Sequence, residues 1–269
     1  MEFILFFKLV FLGIIEGLTE FLPVSSTGHL IIFADIIDFN SEIATLFEIV
    51  IQLGAILAVV WLYRRKILNL LASIFSEKKS FNFALNLLIA FVPAAVVGFF
   101  FHDIIKSYLF NPLTVAVALV VGGFIILYIE NKNIEEKTKE ALDINKKSAL
   151  IVGLSQILSL IPGVSRAGAT IMGGVCSGLS RKAAAEFSFF LAIPIMFAAS
   201  LYDLYKNAPL LNLNSLLIIA VGFISAFISA IIVIKWFIKF ISSNNFKIFG
   251  WYRIVFGIAL IIFYYFIKG

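Results

Sequence analysis

Cysteine is nearly missing from this 269-residue sequence. Cys176 stands alone, which leaves no intrachain disulfide and argues against redox chemistry. Charge is scarce too: Lys, Arg, Asp and Glu make up 14% of the residues, where a soluble domain carries about 25%. Histidine occurs twice and proline six times. Apolar residues fill the space, at 62% with 30 Phe and a mean hydropathy of +1.07. They form long Ile/Leu/Val/Phe runs with no polar face for water, so lipid is the solvent for most of this chain.

The net charge of +5 is not a nucleic-acid footprint, because no basic stripe with interleaved aromatics appears. Its Lys and Arg cluster between apolar runs, as in Arg64-Arg65-Lys66, Lys78-Lys79 and Lys146-Lys147. That is the positive-inside pattern of cytoplasmic loops. Met1 to Val10 is apolar but lacks a basic region or a small-residue cleavage site, and Glu16 and Glu20 follow. It is expected to belong to the mature protein rather than to a cleaved signal.

A spanning helix needs about 20 mostly apolar residues. Six segments qualify, near Ile43–Tyr63, Phe83–Phe101, Leu113–Ile129, Ala184–Tyr202, Leu216–Trp236 and Ile254–Ile267. Residues 3–38 and 147–180 are apolar as well, but each is broken by a loop rich in Pro, Ser and Gly. Pro and Gly interrupt a helix, and irregular backbone at membrane depth persists only inside protein or beside a polar cavity. The expectation is therefore an all-α polytopic membrane protein with six transmembrane helices and two re-entrant helical hairpins. Two full spans joined by a surface loop are the plainer alternative. The broken segments begin similar series of elements, dividing one membrane domain into halves of about 1–130 and 145–269. With loops 64–82, 131–147 and 237–250 inside and 102–111 and 203–214 outside, the halves form an inverted-topology repeat.

Ionisable groups inside a membrane cost about 2.5–3.5 kcal/mol each, so each is a functional candidate. The densest group runs from Glu16 to His29, Glu-Gly-Leu-Thr-Glu-Phe-Leu-Pro-Val-Ser-Ser-Thr-Gly-His. Glu16 and Glu20 share one helix face and would share a proton or hold a hard cation, Mg²⁺ or Ca²⁺, beside phosphate oxygens. Ser25, Ser26, Thr27 and Gly28 read as a helix N-terminus able to hold an anion. His29 suits proton transfer or nucleophilic work, whereas His102, beside Asp103, reads as interfacial. The second loop brings Arg166, a fork for phosphate oxygens, among Ser165, Gly168 and Thr170. Carboxylates, hydroxyls, an imidazole and an arginine on facing helix ends suit phosphoryl transfer.

The Glu16–His29 run and Pro162-Gly-Val-Ser-Arg-Ala-Gly-Ala-Thr170 resemble the two signature motifs of the bacterial undecaprenyl-pyrophosphate phosphatases, the bacitracin-resistance family. The resemblance continues through Phe47–Gly54 and Glu186–Phe189 and covers essentially the whole chain. It implies metal-dependent release of phosphate from undecaprenyl pyrophosphate, competition with bacitracin for that lipid, and a bacterial inner-membrane enzyme with its pocket facing outward. It implies Glu16, Glu20, Ser26, His29 and Arg166 as catalytic residues, with Glu16 and Glu20 at the cation. Ser25, Thr27, Gly28, Ser165, Gly168, Thr170 and Glu48 follow as substrate contacts. Three mechanisms stand open: Ser26 as nucleophile with His29 as base, a phosphohistidine at His29, or attack by activated water. A transporter or lipid scramblase is the main rival, since inverted repeats with broken helices are transporter architecture, and such flipping of the lipid carrier could coexist with hydrolysis. A structural membrane subunit is a weaker third. Small residues at Gly122-Gly123, Ser225-Ala226 and Ser229-Ala230 would permit a homodimer.

Overall fold

A computed structural model describes residues 3–39, 44–206 and 213–267. Ten α-helices dominate them: α1 (Phe3–Thr19), α2 (Ser26–Ile36), α3 (Ala44–Ser73), α4 (Lys78–Leu109), α5 (Pro112–Glu130), α6 (Lys146–Ile157), α7 (Arg166–Cys176), α8 (Arg181–Lys206), α9 (Leu213–Ile241) and α10 (Lys247–Ile262). The one β-feature among the described residues is an isolated bridge between Thr138 and Leu179. Helices α3, α4, α5, α8, α9 and α10 are long and apolar enough to cross a membrane, and the protein is a multi-pass membrane protein. The side chains of His102 and Asp103, and residues 207–212 of the expected 203–214 loop, lie outside the described residues.

Helix ends differ from the sequence expectation on the charged side. Helix α3 runs on to Ser73 and α4 begins at Lys78, so the 64–82 loop shrinks to a short turn. Likewise α10 starts at Lys247, ahead of the expected Ile254. Lys and Arg are good helix formers, so a helix need not stop where its apolar run stops. Ion pairs gather these ends on one face. Arg181 holds Glu130 in a bidentate pair at 3.0 and 2.6 Å, Lys79 meets Asp143 at 2.6 Å, and Glu130 also accepts from the Phe246 amide.

The two broken segments are helical hairpins. Lys8, early in α1, donates to the Asp38 carbonyl beyond the end of α2, which brings entry and exit together. In the second hairpin, Ser148 near the start of α6 donates to the Ser177 carbonyl beyond α7. At 11 or 12 residues, α2, α6 and α7 are each about 16–18 Å long, short of the roughly 30 Å hydrocarbon core. Helix α1 packs along α9, α6 along α4, and α5 along α10.

Glycines set how closely these pairs approach. A β-carbon on Gly17 would stand 2.1 Å from Ser229 Oγ and 2.4 Å from the Ala226 carbonyl; one on Gly153 would stand 2.7 Å from the Ala90 carbonyl. Gly123 lies against the Gly250 carbonyl in the α5–α10 seam. The small residues that could have served a dimer are therefore used inside the chain: Ala226 and Ser229 face α1, and Gly122 and Gly123 face α10. Gly17→Val should part α1 from α9, since the Ala226 and Ala230 backbone, as well as the Ser229 hydroxyl, blocks the new side chain. Its expected cost is about 3 kcal/mol or more, read as a lower melting temperature in detergent.

Candidate active site

Each hairpin tip is built the same way. Ser25 precedes α2 and Ser165 precedes α7, and both have positive φ, 71° and 75°. Their hydroxyls accept from the amides three residues on, Gly28 at 3.3 Å and Gly168 at 3.0 Å. A left-handed conformation at a non-glycine residue is strained, and here the capping bond offsets part of the cost. Pro23 and Pro162 stand just ahead of the two caps, where a helix could not have continued. Each strained serine throws the next residue, Ser26 or Arg166, to the same place between the tips.

There the two hairpins meet. Ser26 Oγ donates to Glu20 Oε2 in a short hydrogen bond, and Arg166 Nη2 reaches Glu20 Oε1 at 3.0 Å. Helix α8 steadies the guanidinium: Arg166 Nη1 donates to the Ser188 carbonyl at 3.0 Å, and Ser188 Oγ shares a 2.7 Å bond with Thr170. Phe21 lies beneath the guanidinium, 5.8 Å from its carbon to the ring centre. The buried Arg166 Nε has no partner in the protein, leaving one donor of the fork for a ligand. A cavity of about 190 Å³ opens over these groups, lined by Glu20, Ser25, Ser26, Thr27, Ser165 and Arg166. Gln52, Ser159, Ile195, Met196 and Ala199 also line it. Such a chamber offers hydroxyl, carboxylate and guanidinium to a phosphate-sized anion, with an apolar α8 wall beside it.

Other expected residues sit elsewhere. Both ring nitrogens of His29 are engaged away from Ser26. Nδ1–H donates to the Ser25 carbonyl, which can only accept, at 2.7 Å, and Nε2 shares a 2.7 Å bond with the Tyr252 hydroxyl. The imidazole also stacks on Phe256, with ring centres 4.5 Å apart. The expected Ser26–His29 pairing is thus not formed, and the Ser26 hydroxyl donates to Glu20 instead. The physical reason is that a buried imidazole keeps both nitrogens satisfied, and α10 supplies the partner. Glu48 lies on α3 in a separate cavity with Asp35 and Tyr264 rather than over Ser26.

Glu16 is buried at 1% exposure, one turn before Glu20, and its Oε1 has no hydrogen-bond partner. An orphaned carboxylate oxygen this deep wants a proton or a cation. The Glu16–Glu20 pair therefore fits a hard divalent cation completed by substrate oxygens and water. No cluster of three or more His, Cys, Asp or Glu forms a ready-made cage among the described residues.

Sequence reasoning passed over four residues. Gln52 and Ser188 lay within quoted motifs but drew no role. Tyr252 had no signal beyond lying near a span edge. Arg253 did carry one, a charge in an apolar stretch, but it fell just outside the expected Ile254 boundary.

Known proteins bear on this arrangement. The family described as bacitracin resistance protein BacA matches residues 9–259. An undecaprenyl-diphosphatase of Acinetobacter baumannii is 54% identical over 256 residues, covering 95% of this chain and 94% of the relative. One from Nitrosospira multiformis is 53% identical over 262 residues, covering 97% and 96%. Undecaprenyl-diphosphatase 3 of Acinetobacter baylyi is 54% identical over 255 residues.

Proposed function

The chain belongs to the bacitracin resistance protein BacA family, and from that premise we propose that it hydrolyses undecaprenyl pyrophosphate to the monophosphate and inorganic phosphate, using the Ser26–Glu20–Arg166 contact between the hairpin tips. That contact carries the reading: a hydroxyl bonded to a carboxylate, itself paired with an arginine that keeps a donor free.

Ser26 Oγ attacks the terminal phosphorus and passes its proton to Glu20 Oε2. The bond to the bridging oxygen breaks, and undecaprenyl phosphate leaves as an anion. Glu20 loses the Ser26 proton to solvent; water then attacks the phosphoserine and gives a proton to the freed Glu20 carboxylate, which returns it to Ser26 Oγ as the P–O bond breaks and inorganic phosphate departs. Arg166 holds the equatorial oxygens, with the amides at the start of α2 and α7 beside it. Glu16 and Glu20 would hold a divalent cation, which supplies charge neutralisation at the phosphate oxygens. His29 anchors the first tip through the Ser25 carbonyl.

The hairpins enter the bilayer from opposite faces, making two inverted halves of one domain. In support, α1 runs parallel to α9, with Gly13 beside Gly222 and Gly17 beside Ala226, and stops about 15 Å short of Ile241. The cavity opens away from the charged face, since Gln52 is near the start of α3 and Ile195 to Ala199 lie past the middle of α8. With the charged face inside a bacterial inner membrane, the site faces outward, where recycling of the lipid carrier competes with bacitracin for the pyrophosphate.

Purified protein in detergent should release phosphate from undecaprenyl pyrophosphate, and a chelator should lower the rate at least about tenfold, with Mg²⁺ or Ca²⁺ restoring it. Folded protein that releases none, yet moves the lipid across sealed proteoliposomes, would identify a transporter instead.

A further inference from the structure

Arg253 heads the fully buried side chains by volume among the described residues, at 1% exposure, and no carboxylate pairs with it there. Its guanidinium donates instead to backbone carbonyls on three sides. Nη1 reaches Pro23 O at 3.2 Å in the first tip and Val164 O at 2.8 Å in the second. Nη2 takes Gly163 O at 2.9 Å and Ala118 O at 3.0 Å, and Nε takes Leu119 O at 3.3 Å. Every N–H of the fork has a carbonyl, and Arg253 does not line the cavity.

The gripped positions correspond. Pro23 lies two residues before the capping Ser25, and Gly163 lies two before the capping Ser165. A displacement at either carbonyl moves the strained serine, and with it Ser26 or Arg166. Beside the Arg166–Glu20 pair, the tips share the hydrogen bond from Ser165 Oγ to Leu22 O, which is long at 3.4 Å. Room for the fork is made by Gly122, whose β-carbon would stand 2.2 Å from Nη2. A buried charge is tolerated when its donors are all met, and a planar fork alone can meet carbonyls diverging from two tips and a helix.

We propose that Arg253 is a positioning residue that holds the two hairpin tips in register, so that Glu20 and Ser26 of one face Arg166 of the other. The inference rests on the phosphatase reading for its kinetic consequence only. A lysine ammonium has three donors and no fork, so it cannot span both tips.

In Arg253→Lys, kcat for phosphate release should fall about a hundredfold while KM changes less than about threefold, because misplacing catalytic groups by about 1 Å costs rate on that scale. Gly122→Ala should move the same readout in the same direction with Arg253 still present. Amide exchange should rise in residues 21–28 and 161–168 of both variants and stay slow in α1 and α9. Wild-type kcat per folded molecule in Arg253→Lys, or exchange rising throughout the bundle rather than at the tips, would overturn the proposal. Should the wild type itself release no phosphate, the exchange pattern still decides the latch while the phosphatase reading fails. Should Arg253→Lys fail to fold, Gly122→Ala decides, and unchanged kcat and tip exchange there count against the latch.

Discussion

At saturating divalent cation, Glu20→Gln should reduce kcat for phosphate release about a thousandfold or more without raising KM. The substitution preserves shape, so the Ser26 hydroxyl can still donate to an amide oxygen in the same place. What vanishes is the ability to take the Ser26 proton and to balance Arg166, both of which the carboxylate does through its two oxygens. The guanidinium is left in a buried site without its counter-charge, at an expected cost of about 3–5 kcal/mol. A phosphate group entering the cavity supplies that charge, so substrate binding is maintained or improved while turnover collapses. This split between kcat and KM is the measurement that matters, with activity normalised to folded protein. A Glu20→Gln enzyme within about tenfold of wild-type kcat would remove Glu20 as the proton acceptor.

Ser26→Ala should bring the rate down by about a thousandfold to ten-thousandfold, since deleting a nucleophile leaves only the contribution of binding and charge stabilisation. Little structural loss accompanies it, because Glu20 keeps its ion pair with Arg166 and the helix cap belongs to Ser25 rather than Ser26. Acid quenching of wild type turning over substrate labelled at the terminal phosphate should trap label on Ser26 and none in Ser26→Ala. An unlabelled wild type, with Ser26→Ala within about tenfold of its rate, would mean that water attacks directly and that the hydroxyl only orients the phosphate. Label on His29 is not expected, because both ring nitrogens are engaged by Ser25 and Tyr252.

Much of the architecture was legible because the bilayer permits few solutions. Apolar runs of about 20 residues have to be spanning helices, and the six expected ones appear. The broken segments were equally legible, since Pro23 and Pro162 lack the amide a continuing helix would use. Helix ends on the charged side were not, because nothing in a lysine-rich stretch says where the helix stops. Arg253 was lost to one such boundary.

Residue type and local spacing were enough to read the solvent, the number of spans, the two interrupted segments and the chemical inventory of the candidate site. Tertiary structure alone decided which of those groups meet. Glu20, Ser26 and Arg166 converge since both capping serines take the same strained turn and the tips abut, a contact between residues 146 positions apart. His29, three residues from Ser26, is drawn instead to Tyr252, 223 positions away. Proximity along the chain could not have predicted either outcome. A buried polar group goes to whichever partner satisfies it, and helix packing alone decides which partner is within reach.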